Sequence, residues 1–476
     1  MTAVAYTIGR RHRPPPARQP RALVALSAAL VWALGGTGWA WWICAALPLA
    51  YLLAAATALF GKIHDVRVHQ LHAAGGALGT VLAIPALLSG GSWAALVAGA
   101  LSAWAFVMAG RVALNSEPLY EGAEAPEARP LVDMKAAIDE ALIAYFVGVA
   151  KIPSGPGAEA MCLEGLRLET VLKEHGWSSD LASYHHTPSA PEAVTSEVKR
   201  YKGMSYERVS YPSGFVPRAE LPGAAAWAAL VPNQRSVLRV FRHVGADRPW
   251  LFCIHGYRMG DNWLDFGLFP PEVLHKKLGF NLLMPTLPLH GPRKVGSKSG
   301  DQYLDGDLLD LVHAQTQALW DLRRALAWLR DREVAPRVGV YGVSLGGYNA
   351  ALLATAEAEL EFVVGGVPLS DPAGVLWRHL PHLHEQFYAQ HGLTEARYRS
   401  ILSVVSPLSR PALPPRERLH LFAAAADRIV PPDQPLLLGK HWQVPVRWYQ
   451  GSHLSIRHER ATRAALKDAI NRAGWR

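Results

Sequence analysis

At 476 residues the chain exceeds the roughly 250 to 300 at which a single core usually stops growing, so more than one structural region is expected. Half of its residues are hydrophobic and only 18% are charged, and that apolar excess sits at the N-terminal end. The net charge of +9 is just as uneven: seven basic residues against one acid in residues 1–110 leave +3 for the remainder, which excludes the basic stripe that nucleic-acid binding requires.

The first element is a basic tail, residues 1–21, carrying Arg10, Arg11, Arg13, Arg18 and Arg21. Forty residues free of Asp, Glu, Lys and Arg separate Arg21 from Lys62, and thirty-eight more separate His72 from Arg111. A hydrocarbon core takes about 20 helical residues, so each run has room for two helices, and residues 22–110 read as about four transmembrane helices in two hairpins. Gly35-Gly36-Thr37-Gly38 and Ser89-Gly90-Gly91-Ser92 supply the turns, with Trp39, Trp41, Trp42 and Trp93 beside them as indoles gather at a membrane interface. The charges lie at the opposite ends, so the positive-inside rule puts both termini, and with them the rest of the chain, in the cytoplasm at an inner or plasma membrane.

Residues 111–200 read as a linker and connecting helices. The stretch 115–130 is rich in Glu, Pro and Ala, after which Leu131, Met134, Ile138, Leu142, Tyr145 and Val149 recur at helical spacing. This stripe is expected to pack on the following domain, with the membrane surface as the other choice. Thr187 to Ser196 reads as a loop. From about Tyr201, short apolar runs alternate with helical patterns: Leu251 to Ile254, Asn281 to Met284, Arg337 to Tyr341, Phe362 to Val367, Leu419 to Ala424 and Val446 to Trp448. Strands alternating with helices predict an α/β domain over residues 201–476 with a mostly parallel central sheet. Cys44, Cys162 and Cys253 have no paired spacing, which argues against a disulfide framework or a CxxC motif.

Chemistry-bearing residues follow the strands in order. Phe252 to Ile254 runs into His255-Gly256-Tyr257, a turn whose Tyr257 amide can serve as an oxyanion donor and whose His255 braces the turn. Gly342-Val343-Ser344-Leu345-Gly346 lies between a strand pattern and a helix-compatible segment. A serine hydroxyl needs a base, an acid and oxyanion donors to act as a nucleophile, and Leu345 can supply the second amide. Gly342 and Gly346 flank a turn too tight for side chains. Asp371 to about Pro415 leaves the sheet with helical and aromatic character, consistent with a cap over residues 371–415. It holds His379, His382, His384 and His391, but no carboxylate or cysteine stands at ligand spacing from them and Pro381 interrupts the helix that would have to align the imidazoles, so no metal is assigned. Asp427 stands just past the strand Leu419 to Ala424, where a carboxylate can orient an imidazole, and Asp371 is a reserve for that role. His453 follows the last strand in Gln450-Gly451-Ser452-His453, which completes the order Ser, Asp, His.

In this order of HG turn, G-x-S-x-G elbow, Asp-x-x-Val-Pro and late Gly-Ser-His, residues 201–476 resemble the α/β-hydrolase superfamily. Met284-Pro285-Thr286-Leu287-Pro288-Leu289-His290-Gly291-Pro292-Arg293 is similar to a loop in the branch related to the hydrolase domain-containing protein 18 type. The resemblance implies acyl-transfer chemistry through Ser344, Asp427 and His453, without metal or organic cofactor, on a small-molecule or lipid acyl substrate. Ester hydrolysis is the expected reaction, with peptidase or acyltransferase chemistry on the same triad, or a non-catalytic membrane interaction protein, as rivals. Beyond the bilayer and the acyl substrate, composition names no partner and leaves the oligomeric state open.

Overall fold

The computed structural model of this protein describes residues 8–11, 19–61, 63, 65–89, 93–245, 247–305, 307–333 and 336–475. The uncharged N-terminal runs form four helices, α1 (Gln19–Leu34), α2 (Trp39–Phe60), α3 (Val66–Leu88) and α4 (Ala94–Ser116), each packed on its neighbour with α1 also against α4. Small residues allow that packing. A side chain on Gly76 would stand 2.7 Å from the Phe106 backbone nitrogen, and one on Gly75 3.0 Å from Leu52. Trp32 Nε1 donates to Ser102 Oγ at 3.1 Å, and Trp41 Nε1 donates to the Trp32 carbonyl at 2.9 Å. Among the described residues, α2, α3 and α4 are long and apolar enough to cross a membrane, one fewer than the four spans expected, and α1 is a shorter apolar helix. Gly90, Gly91 and Ser92 of the second turn, Arg13, Arg18 and Lys62 lie outside the described residues. Arg10–Arg11 pairs antiparallel with Leu119–Tyr120, which brings the start of α1 and the end of α4 to one side of the bundle.

The 115–130 stretch is more than a linker. Glu127 N–H donates to the Gln450 side-chain oxygen at 2.8 Å, and Gln450 Nε2 donates to Glu124 at 2.7 Å, so the strand ends at the far end of the sequence hold it. It leads into α5 (Pro130–Val149), then α6 (Pro156–Glu174). Most of the α5 stripe is not covered by the domain: Leu131 is 57% exposed, Met134 38%, Ile138 39% and Tyr145 47%, while Leu142 and Val149 are half-buried and the Tyr145 ring meets Lys298 of the domain. The buried face is instead the one carrying Val132, Asp133, Ala136, Ala137, Asp139, Glu140 and Ile143, because polar partners on α4 and in the catalytic loops receive its acids.

Nine strands make the central sheet: β1 (Thr195–Tyr201), β2 (Met204–Pro212), β3 (Arg235–Phe241), β4 (Trp250–Ile254), β5 (Asn281–Pro285), β6 (Val338–Val343), β7 (Phe362–Gly366), β8 (Leu419–Ala424) and β9 (Val446–Tyr449). Their order is β9-β8-β7-β6-β4-β5-β3-β2-β1, parallel from β9 to β5 and antiparallel from β5 to β1. This is the α/β-hydrolase arrangement that the resemblance implies. The sheet begins at Thr195, ahead of the expected Tyr201, and Thr195 and Ser196 belong to a strand where a loop was expected. β1 escapes notice in the sequence because it is an edge strand exposed along its length, with no buried face to impose alternation. In β4, Trp250, Phe252 and Ile254 enter the core beneath α7 (Leu308–Arg332) and α8 (Leu345–Ala354), while Leu251 and Cys253 enter the opposite core, shared with Trp475 just past α13 (Arg460–Arg472). The excursion after β7 holds α9 (Pro372–His379), α10 (His382–Gln390) and α11 (Glu395–Ile401), and α12 (Asp433–Trp442) follows β8.

Candidate active site

Register aligns the carboxyl ends of the parallel strands: Ile254 lies opposite Gly342, and Val343 opposite Gly366. The loops that leave them converge on one edge, the usual location of a site in an open α/β sheet. Ser344 occupies the junction of β6 and α8 at φ 60° and ψ −119°. A non-glycine residue in that region carries about 1–3 kcal/mol of strain, held here by tight packing and by its N–H, which donates to the Gly366 carbonyl at 2.8 Å. A Cβ on Gly342 would lie 2.0 Å from the Gly346 oxygen, and one on Gly346 would lie 2.0 Å from the Ile254 oxygen. Both glycines are therefore required by close backbone approach, not by chain flexibility.

The HG turn abuts the serine, with the Cβ position of Gly256 3.5 Å from Ser344 Cβ. His255 is buried; the Leu287 N–H donates to its Nε2 at 3.1 Å, so its Nδ1 carries the proton and donates to the Gly256 carbonyl at 2.8 Å. Burial lowers its basicity, so it stands as a neutral brace. As first residue of α8, Leu345 has an N–H outside the helical ladder. The Tyr257 hydroxyl donates to Asp305 Oδ1 at 2.9 Å, anchoring the turn from its far side.

Asp427 and His453 meet directly, with Nδ1 of the ring donating to Oδ2 of the carboxylate at 2.7 Å. The other oxygen of Asp427 accepts the N–H groups of Ile429 at 3.0 Å and Val430 at 2.8 Å, so the carboxylate is fixed on both sides. Burial alone would lower the His453 pKa, but the charge of Asp427, their hydrogen bond and the charge of Asp139 outweigh it and raise the ring above the ordinary imidazole value. Asp371 is not brought to this imidazole. It pairs with Arg399 at 2.8 Å and borders a separate polar cleft of about 890 Å³ among Arg10, Glu117, Arg378 and Asp433.

Sequence reasoning missed the N-terminal contribution. Asp139 of α5, fully buried, accepts Ser452 Oγ–H at 3.0 Å, the Leu454 N–H at 3.3 Å, the His453 N–H at 2.9 Å and the Arg428 N–H at 3.1 Å. One carboxylate thus ties the acid-bearing loop to the base-bearing loop. Burial, then the charge of Asp427, pushes its pKa up to about 7, against the pull of His453 and the donated N–H groups. Beside it the buried Arg428 donates to Glu140 at 2.6 Å and to Glu117 at 3.0 Å, and Glu117 also pairs with Arg378 of α9. No spacing rule marks these acids, whose partners lie about three hundred residues away; a buried acid on the alanine-rich side of an amphipathic helix was the only available signal.

Ser344, Leu345 and Tyr257 line one apolar cavity of about 160 Å³. Its walls come from α5 (Ile143, Phe146, Val147) and from α9 to α11 (Leu376, Trp377, Tyr388, Tyr398), so residues of the excursion at 371–415 line part of this space. His379 also lines it and meets Gln70 of α3 at 3.0 Å. A strained serine, a carboxylate-bound imidazole and two turn amides at one sheet edge can carry out acyl transfer on a substrate with an apolar arm.

No protein-family model matches the chain. It is 36% identical over 301 residues to the uncharacterized protein MT2702 of Mycobacterium tuberculosis (strain CDC 1551 / Oshkosh), covering 63% of this chain and 72% of the relative. It is 37% identical over 289 residues to the uncharacterized protein Rv2627c of Mycobacterium tuberculosis (strain ATCC 25618 / H37Rv), covering 60% and 69%. Among solved structures it is similar to acetyl xylan esterase 1 from Thermoanaerobacterium sp. JW/SL YS485, with TM-score 0.43 and 13% identity over 63% of this chain and 93% of that one. It is also similar to alpha/beta hydrolase domain-containing protein 10 from mouse, with TM-score 0.34 and 17% identity over 50% and 94%.

Proposed function

We propose that this chain, which belongs to the α/β-hydrolase superfamily and to the same family as the two Mycobacterium tuberculosis proteins, is a membrane-anchored serine hydrolase that cleaves a carboxylic ester. The observation that carries the reading is the 2.7 Å Asp427–His453 pair at the ends of neighbouring strands, on the same sheet edge as the strained Ser344. In the first half-reaction Ser344 Oγ bonds to the ester carbonyl carbon while its proton passes to His453 Nε2. Asp427 holds the ring and stabilises the imidazolium, and the amides of Tyr257 and Leu345 donate to the tetrahedral oxyanion. Collapse breaks the bond to the alkoxy oxygen, which leaves with the proton from His453. Water then adds through the same base and releases the acid and Ser344. The apolar lining of the cavity favours an acyl arm over a charged one.

The N-terminal helices anchor this unit in the bilayer. Pairing of Arg10–Arg11 with Leu119–Tyr120 favours an even number of passes, and Arg10, Arg21 and Arg111 at that end favour the cytoplasmic side. A fluorophosphonate probe is expected to label the wild-type chain stoichiometrically and to leave Ser344→Ala unlabelled; labelling that persists in the variant would falsify the assignment of the nucleophile. A cysteine placed near the C-terminus is expected to resist an impermeant thiol reagent in intact cells, and reaction there would reverse the orientation.

A further inference from the structure

We infer that the exposed face of α5 lies in the bilayer surface, so that the cavity at Ser344 receives its ester from the membrane and not from water. The inference rests on the hydrolase reading for its second half only. The outer face of α5 is unusual for a helix in water: the acids Asp133, Asp139 and Glu140 are buried beside Val132, Ala136, Ala137 and Ile143, and the large apolar residues Leu131, Met134 and Ile138 are exposed. In an aqueous setting that stripe would have no partner, whereas a lipid surface satisfies it without disturbing the buried polar face.

The position of α5 selects the occupant. It crosses α4 where a Cβ on Gly110 would stand 1.9 Å from the Asp133 carbonyl oxygen, and Arg111 of α4 bonds Asp133 at 2.8 Å. Arg111 is the first charge after the uncharged run of α4 and so sits where a membrane-crossing helix leaves hydrocarbon. Exposed Leu23, Phe60 and Ile63 belong to the same end of the bundle, so the stripe continues the apolar exterior of α1 to α4 at the level of the headgroups. The last turns of the same helix carry Ile143, Phe146 and Val147 into the wall of the Ser344 cavity. An acyl chain resting among lipid tails beside α5 therefore has an apolar surface to follow from bilayer to nucleophile, and the substrate class is a membrane-resident acyl ester.

Two measurements on the full-length chain in phosphatidylcholine and phosphatidylglycerol vesicles test this. Cys44, Cys162 and Cys253 are all buried, so Ile138→Cys can carry a polarity-sensitive fluorophore selectively. Lipids brominated on the acyl chain are expected to quench that label several-fold more than aqueous iodide does. Stronger quenching by iodide, or shielding that grows with protein-to-lipid ratio as contact with a second copy would, overturns the bilayer assignment whether or not the protein is an esterase. In the second measurement the double variant Met134→Lys with Ile138→Lys is expected to lose about tenfold in kcat/KM on a long-chain ester dispersed in the vesicles, and to stay within about twofold of wild type on a dissolved short-chain ester. Equal loss on both esters overturns delivery from the membrane. Failure of wild type to cleave either ester defeats the hydrolase reading and leaves the quenching result to decide the placement of α5.

Discussion

The helical bundle and the catalytic unit solve the same packing problem with opposite choices of residue. The bundle core is built mainly from alanine, with Ala25, Ala28, Ala45, Ala98 and Ala105 buried around Trp32, Trp41 and Leu52, and it turns large side chains such as Leu47, Leu53, Ile84 and Trp104 outward. The hydrolase-fold unit fills its core with large residues, among them Trp250, Trp328 and Tyr348. The contrast is the one that the proposed membrane placement of the bundle calls for: in lipid, apolar burial gives little driving force and close backbone contact between small residues must supply cohesion, whereas in water the large apolar groups are driven inward. Helix α5 stands between the two and has one face of each kind.

That comparison breaks first at the junction. Replacing Arg428 with Ala leaves Glu140 buried without its cation and should destabilise the catalytic unit by about 3–5 kcal/mol, read as a lowered denaturant midpoint. The double change Arg428→Met with Glu140→Leu should recover most of that loss, and failure to recover would show that the network does more than balance charge. Within the bundle, Gly76→Leu drives a side chain into the Phe106 backbone and should cost about 1–3 kcal/mol, with the catalytic unit unfolding at its normal midpoint. A matching shift in both transitions would mean that the two regions melt as one.

The smallest effect sharpens the part played by α5 in catalysis. Asp139→Asn keeps an acceptor but removes a negative charge near His453, one of the influences that raise the imidazole pKa. In the proposed mechanism the base must be neutral to take the serine proton, so turnover rises as pH passes upward through that pKa. Because the pKa of Asp139 is itself pushed up to about 7, its charge is only partly present over the acid limb, so removing it should lower the imidazole pKa slightly and move the acid limb of kcat/KM slightly to lower pH. Asp427, Arg428, Glu140, Glu117, Lys135, Glu459 and Tyr449 stay in place around it. Lost hydrogen bonding should add about 1–3 kcal/mol of destabilisation, and an unmoved acid limb would reduce Asp139 to a purely structural brace.

Much of this was legible from local pattern. Strands β4 to β8 announce themselves because a parallel sheet buried on both faces needs continuous apolar runs, and the edge strand β9 is shorter and partly exposed. The edge strand β1 was silent, since Thr195–Tyr201 is almost wholly solvent-exposed and carries no alternation to read. The Ser344 turn was legible because its constraint is local: Gly342 and Gly346 are set by clashes within a few residues or with the adjacent strand end. The α5 stripe was legible as a stripe, but periodicity identifies two faces without saying which one the fold will cover.

By itself, then, the sequence determined the helical N-terminal region, the parallel half of the sheet and the elbow at Ser344, because hydrophobic period and glycine sterics act over a handful of residues. Tertiary structure alone decided that Asp139, 314 residues from His453, holds the loops of Asp427 and His453 together, and that the apolar face of α5 points outward. Both outcomes depend on which surfaces meet across the whole chain. A buried carboxylate is stable only where donors converge on it, as four do on Asp139, and no spacing along the sequence records that convergence.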